Sequence, residues 1–402
     1  MKKYILIIIF CLLPALFTGC WSRREVEELA IVGGMAIDKG QGEDRGKYLV
    51  TLNILRPGQI SGGAGVGMGG GGGGGGGGAR PTWQIIAQGE TIFEAARNVS
   101  LRAPRELFFG HTRYIVISED VAREGLHKIL DLLYRSPEIR LRAFIVVTGG
   151  SALELVRGVP ELEHTISRAM EGIAKTSRRE NSKFEMVDVK KVTEKMIAPG
   201  IDPVIGRVEL IQARPQVDIN QIIKTIIYRG GAVIRKDRMA GWLDEREMRG
   251  YMLGAGLARG GIFPVKIHHG KADVSIEMTR ASSRFKIKSE GGRLKVKIEV
   301  FVEGDLGEHQ GLEEIAVAEK IPELEKKFNA ALRSEIMAAI KKAQTLKSDI
   351  FGFGQALERS DPKLFKELRK DWPEHFAGAE VTLDIKAHVR RTGLISNTPV
   401  PE

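Results

Sequence analysis

Cysteine is almost missing from this chain: two residues in 402, Cys11 and Cys20. Cys11 falls inside a segment with the form of a cleavable leader, so the processed chain keeps one thiol and no internal disulfide can brace it. Aromatic residues are also scarce, at 6%. There is no Gly-x-Ser-x-Gly elbow and no His-Glu-x-x-His pair, and no Lys-Ser or Lys-Thr follows the glycine run. The sequence signatures of a serine hydrolase, a zinc protease and a P-loop nucleotide site are therefore absent. The apolar stretch from Tyr4 to Leu16 is about a dozen residues, short of the ~20 that a comfortable membrane span needs. With 43% hydrophobic and 28% charged residues, the composition is that of a water-soluble globular protein. Its length is enough for two or three domains, each burying its own core.

What stands at the start is an export signal: Lys2-Lys3, the apolar stretch, then Phe17-Thr18-Gly19-Cys20. Small residues directly before a cysteine resemble the bacterial lipobox, whose cysteine receives diacylglycerol before cleavage. Residues 1–19 are then the signal peptide and Cys20 the expected lipidation site. Acyl chains contribute about 0.8 kcal/mol per buried methylene, so two or three of them hold a protein on the outer face of a membrane without a spanning helix. Lys and Arg number 61 against 51 Asp and Glu, a net +10; loss of Lys2 and Lys3 leaves 59 against 51, or +8. This excess favours lying close to an anionic bilayer. The charges are scattered rather than gathered into a stripe, and export removes the partner, so nucleic acid is not expected to bind.

Hydrophobic periodicity organises the rest. Leu29 to Asp38, Lys47 to Leu55 and Trp83 to Gln88 read as strands, the first interrupted by Gly33-Gly34. A Gly-rich loop over 61–79, containing the unbroken run Gly69 to Gly78, separates the second from the third. Ile92, Ala95, Ala96 and Val99 recur at helical spacing, and Ser118 can cap a helix running through Tyr134. Tyr114 to Ile117 and Phe144 to Val147 are strands, Ser151 opens a short helix, and His164 to Lys175 and Phe184 to Met196 read as helices. Pro199 to Pro203 and Arg214-Pro215 mark a hinge region. Beyond it, Leu294, Val296, Ile298, Val300 and Val302 alternate with polar residues, and Val265 to His268, Val274 to Met278 and Arg284 to Lys288 suggest an antiparallel meander. Leu324, Phe328, Leu332, Ile336, Ile340 and Ala343 form one stripe on a long helix that would cover the sheet, and Val381 to Val389 returns to it as a last strand. The expected class is α+β: a mixed α/β N-terminal domain over 20–205, then an antiparallel-sheet domain over 206–395 covered by a long C-terminal helix.

Residues able to carry chemistry are not convincingly placed. Of eight histidines, His268 and His269 are neighbours on a predicted strand and point to opposite faces, which is poor geometry for one metal. His111, at a turn before a strand, reads as a buried, hydrogen-bonded structural residue. Gly254-Ala255-Gly256 and Gly352-Phe353-Gly354 read as turns, and Glu161, Glu163, His164 and Asp244-Glu245-Arg246-Glu247 as solvated helix ends. No catalytic residue, cofactor or metal is expected, and the chain is read as a non-enzyme. The competing readings are an exported, lipid-anchored cell-wall hydrolase with a dispersed site, and a lipid-anchored solute-binding protein. The latter should show two similar α/β lobes, which the meander argues against.

Cys20-Trp21-Ser22-Arg23-Arg24-Glu25-Val26-Glu27-Glu28-Leu29-Ala30, running into Gly33 and Ile37-Asp38-Lys39, resembles the opening of the Ger(x)C family of spore germination lipoproteins. The likeness continues through Thr91-Ile92-Phe93-Glu94-Ala95, Phe109-Gly110-His111, Ala122-Arg123-Glu124-Gly125 and Arg135-Ser136-Pro137-Glu138-Ile139-Arg140. It resumes at Gly241-Trp242-Leu243, Glu247, Arg249-Gly250, Lys342-Ala343-Gln344, Asp349-Ile350-Phe351-Gly352-Phe353-Gly354, Asp371-Trp372 and Arg391-Thr392-Gly393-Leu394. Ser22 stands where the family usually has Asp, and the glycine run looks like an insertion. The resemblance implies a non-catalytic lipoprotein on the outer leaflet of the inner spore membrane. It would be the C subunit of a nutrient germinant receptor, assembled with an A subunit and a polytopic B subunit.

Overall fold

The computed structural model describes residues 3, 28–56, 82–158, 163, 165–213, 223–266, 274–291, 293–310 and 319–391. Cys20, the glycine run, Glu161, His164 and His268-His269 lie outside these residues.

Near-continuous apolar runs form the middle of the first sheet. β1 (Leu29–Lys39), β5 (Tyr114–Ser118) and β6 (Phe144–Thr148) lie side by side in parallel, and every residue of the last two is buried. Burial on both faces is what such runs require. Further strands extend the sheet on either side: β2 (Tyr48–Leu55) and β3 (Thr82–Gly89) run antiparallel next to β1, while β8 (Val204–Ala213) joins β6 in parallel and is followed by the antiparallel β9 (Ile223–Arg235) and β10 (Arg238–Leu243). The order is β10-β9-β8-β6-β5-β1-β2-β3. Two short strands, β4 (Glu106–Phe108) and β7 (Val187–Asp188), pair with β1 and β6.

Six helices clothe this sheet: α1 (Ile92–Asn98), α2 (Glu119–Glu124), α3 (His127–Arg135), α4 (Ala152–Arg157), α5 (Ile166–Glu180) and α6 (Val189–Ile197). The strand period of two sends Ile115, Ile117, Ile145 and Val147 into one core with α1, α2, α3 and α6. Tyr114, Val116, Phe144 and Val146 enter the other core, with α4 and α5. The Gly33-Gly34 break is a register shift at which the Tyr114 ring crosses the strand; a Cβ on Gly34 would sit 2.1 Å from it.

Some predicted elements take a different form. The helix expected from Ser118 to Tyr134 is two, because Gly125 adopts φ +143 between α2 and α3. The helix expected from Phe184 starts only at Val189, where the Asp188 side chain accepts a hydrogen bond from the Lys191 amide and caps it. Phe184 itself packs edge-on against Tyr228, with ring centroids 4.4 Å apart.

The second body begins with α7 (Glu245–Gly254), whose N-terminus is a full capping box of Asp244 and Glu247. Its sheet runs β11 (Gly261–Val265), β12 (Val274–Glu290), β13 (Arg293–His309) and β14 (Glu380–Arg391). The two segments expected at Val274–Met278 and Arg284–Lys288 are one 17-residue strand, β12. β11, β12 and β13 form the antiparallel meander, whereas β14 pairs parallel to β13. A parallel partner demands a long crossover, supplied by α8 (Ile321–Thr345), α9 (Phe353–Ser360), α10 (Pro362–Leu368) and α11 (Trp372–Ala377). The expected stripe from Leu324 to Ala343 on α8 is buried in one core with the apolar face of this sheet. Each such side chain contributes about 1.5–3 kcal/mol.

The first sheet continues through β8, β9 and β10, past the expected division at residue 205. α7 then meets α8 so closely that a Cβ on Gly250 would lie 2.0 Å from the Glu335 carbonyl oxygen. Arg249 and Glu335 make a buried, two-point ion pair across the same contact, with Nε to Oε2 at 2.7 Å. The Arg249 guanidinium also donates to the Ile262 carbonyl and lies over the Phe263 ring. Gly250→Ala must push the two helices apart. It should lower the unfolding free energy by about 2–3 kcal/mol, read by denaturant titration; an unchanged midpoint would show that the contact yields freely.

Candidate functional site

Open α/β sheets usually hold ligands outside the carboxyl ends of their parallel strands. Here that crevice is filled by the protein's own side chains. Asp38, at the end of β1, accepts from the Ala152 and Leu153 amides at 2.8 Å each, occupying the start of α4 where an anion would otherwise rest. Burial raises the Asp38 carboxyl above its ordinary value, and those two amides pull against the rise. Beside it, Glu119 after β5 accepts from the Trp242 indole at 3.1 Å, and Arg207 lies over the Trp242 ring at 4.5 Å.

Lys39, Tyr48, Glu124 and Lys128 form a second polar knot. Partial burial pushes Glu124 up, but hydrogen bonds from Lys128, Lys39 and Tyr48 outweigh it and hold the carboxyl at about 2. Lys128 is raised by the same contacts with Glu124 and Tyr48. An acid ionised so firmly is a cross-brace between β1, β2 and α3 and is poorly tuned for proton transfer near neutrality.

A groove of about 1020 Å³ runs from Tyr48 between α1 and α3 to the end of α6. Phe93, Tyr134 and Ile197 stand on its walls, 52%, 48% and 78% exposed. They are three of the five large hydrophobic residues that are exposed among the described residues. Two quoted sequence motifs meet there, Thr91-Ile92-Phe93 and Arg135-Ser136-Pro137-Glu138. An apolar concave wall of this kind suits binding of another molecule rather than covalent chemistry.

Ile197 leads directly into the joint between the two bodies. Asp202 accepts from the Ser348 hydroxyl at 2.8 Å and the Asp349 amide at 3.1 Å, and its own amide donates to the Asp349 carbonyl. Gly200, at φ +70, packs on Gly354 with no room for a Cβ on either. Asp349 is 2% exposed. Its carboxylate accepts from the Gly352, Phe353 and Gly354 amides and from the Trp372 indole at 2.8–3.1 Å. The Asp349–Gly354 and Asp371-Trp372 motifs are thus one turn, with each donor aimed at a single carboxylate.

His111 is exposed, correcting the expectation of a buried histidine: it sits on the surface turn before β5, where one edge contact with Phe108 leaves the ring open to solvent. Gly254-Ala255-Gly256 is a turn closing α7, with Gly256 at φ +71. Glu245 pairs with Lys183 and Arg229. Among the described residues, no three His, Cys, Asp or Glu side chains gather as a metal site would require. Sequence reasoning missed the groove, whose exposed residues are spread over three helices, and the filling of the crevice by Asp38, which needs the strand order.

Two family models match, in order, across both bodies: "Spore germination protein N-terminal domain" over residues 22–210 and "Spore germination B3/ GerAC like, C-terminal" over residues 229–393. The chain belongs to the Ger(x)C family of spore germination proteins. Among relatives in Bacillus subtilis (strain 168), it is 27% identical to the putative spore germination protein YfkR over 395 residues, covering 96% of this chain and 97% of that one. It is 26% identical to spore germination protein KC over 408 residues, covering 98% and 97%. The crystal structure of the GerBC protein shares the fold with a TM-score of 0.53 at 18% identity, covering 89% of this chain and 96% of that one.

Burial pushes Asp349 up to about 7 against its four N–H donors. The unfolded carboxyl, near 3.8, ionises first as pH rises, so the stability contributed by this raised group is complete below about pH 4 and lost on approach to pH 7. Asp349→Asn cannot titrate and turns an NH2 toward donors. It should cost about 2–4 kcal/mol at pH 5, with a smaller gap from wild type at pH 8; denaturant titrations at the two pH values test this, and a gap that widens with pH would contradict it.

Proposed function

We propose that this chain is the lipid-anchored, non-catalytic C subunit of a spore nutrient germinant receptor. It is held through acylated Cys20 on the outer leaflet of the inner spore membrane and acts through protein contacts with the membrane A and B subunits. The observation that carries this reading is the ordered match of both germination-protein models along nearly the whole chain. The filled crevice supports it from the side of chemistry: the position where such a sheet would hold a substrate is taken by Asp38 and the Glu119–Trp242–Arg207 stack. Anchoring raises the local concentration of the two bodies next to the membrane subunits. We assign the contact with those subunits to the groove of Phe93, Tyr134 and Ile197, whose apolar walls gain by leaving water.

Spores carrying Cys20→Ala should release the protein from the membrane fraction and lose the response to one nutrient, with the other subunits quantified alongside. Unchanged location and germination would sink the anchored-subunit reading and reopen the hydrolase and solute-binding alternatives. In anchored protein at normal levels, Ile197→Glu should reduce that response about tenfold or more, the loss of one well-placed interface anchor. Leu101→Glu, at a residue 82% exposed but outside the groove, should leave it intact; equal effects from both would remove the groove from the contact.

A further inference from the structure

The opposite, amino-terminal end of the parallel strands is built differently from the filled crevice. His111 and Arg113 lead into β5, Arg140 and Arg142 lead into β6, and the four line a recess of about 210 Å³. That is smaller than the ~300–1,000 Å³ of pockets for drug-sized ligands and suits one small charged group. The backbone beneath the side chains is fixed. The Arg113 amide donates to the Gly33 carbonyl at 3.0 Å and its carbonyl accepts from Phe144 at 2.9 Å. The Ala143 amide closes a turn onto the Arg140 carbonyl, and the Val189 and Lys190 amides hold the Ala143 and Leu141 carbonyls. Gly110 lets the Phe108 ring cross the preceding turn, where a Cβ would meet it at 2.6 Å, and His111 rests edge-on against that ring.

The charge of this recess is unbalanced. Glu171 is the one carboxylate in its lining, and it is shared between Arg113 at 2.9 Å and Lys175 at 2.6 Å. Arg140 and Arg142 have no ion-pair partner among the described residues. Three exposed arginines thus line the recess against one carboxylate, an excess of positive charge that an anion would offset. Guanidinium forks bind oxyanions two points at a time. Three forks match the several oxygens of a tetrahedral group better than the two of a carboxylate.

We infer that His111, Arg113, Arg140 and Arg142 form a binding site for a phosphate group, either free phosphate or the phosphodiester of an anionic lipid headgroup. The lipid source would tie the first body to the bilayer at a point separate from the chain's N-terminus. The free source would make the recess a small-ligand site.

The test uses the processed full chain with Cys20→Ser, so that acyl insertion does not mask headgroup binding. Inorganic phosphate is titrated calorimetrically against chloride of equal ionic strength, and phosphatidylglycerol vesicles are compared with phosphatidylcholine vesicles by flotation. Binding to phosphate alone, to anionic vesicles alone or to both supports the site and names its source, provided that Arg140→Gln and Arg142→Gln each weaken it about tenfold or more. Arg280→Gln, at an exposed arginine of β12, should leave it unchanged, with identical thermal melts confirming that all variants fold. Binding to neither probe, or equal binding by wild type and both recess variants, overturns the inference.

Discussion

A single buried carboxylate organises the joint on which both bodies depend. Asp349 gathers three consecutive backbone amides and the Trp372 indole, and in doing so shapes the turn that presents its own backbone to Asp202. Asp202 closes the loop by receiving Ser348 and the Asp349 amide. A buried charge is tolerable only when its lone pairs are filled; here every donor comes from within about two dozen residues of sequence. Of the two glycines of this turn, Gly352 adopts φ +77 and Gly354 lets the chain approach Gly200. The orientation of the two bodies therefore rests on hydrogen bonds of fixed geometry, and little sliding is available to an apolar contact braced in this way.

The periodicity of the sequence was strong where one face alone is buried. The β13 alternation and the α8 stripe appear in the structure residue for residue, since a half-buried element must sort its side chains by face. Elements with special backbone were harder to read. Gly125 and Asp188 both carried legible signals, a helix break and a cap, yet the surrounding apolar spacing pointed to longer helices. The parallel direction of β14 was hidden for a different reason: alternation reports which face a residue lies on and says nothing about strand polarity.

The functional surfaces divide along the same line. Family motifs were visible as strings, but their roles emerge only from the spatial meeting of distant segments, as with Thr91–Phe93 and Arg135–Glu138 across one groove. Asp38 looked like the polar end of a strand, and only the strand order places it against the amides that open α4. His111 misled because it sits at a turn just before a buried strand, yet the turn leaves its ring at the surface.

The parallel pairing of β13 with β14 also bears on how the molecule comes into being. Val296 meets Val381, 85 positions later (381 − 296), so the last strand docks only after the crossover helices exist. Contacts of such long range form slowly. Until the C-terminal segment is in place, β13 presents an unpaired edge, which is a template for association with other chains. Completion of the second body is therefore tied to delivery of the whole polypeptide, and a chain cut short before residue 380 leaves that edge permanently open.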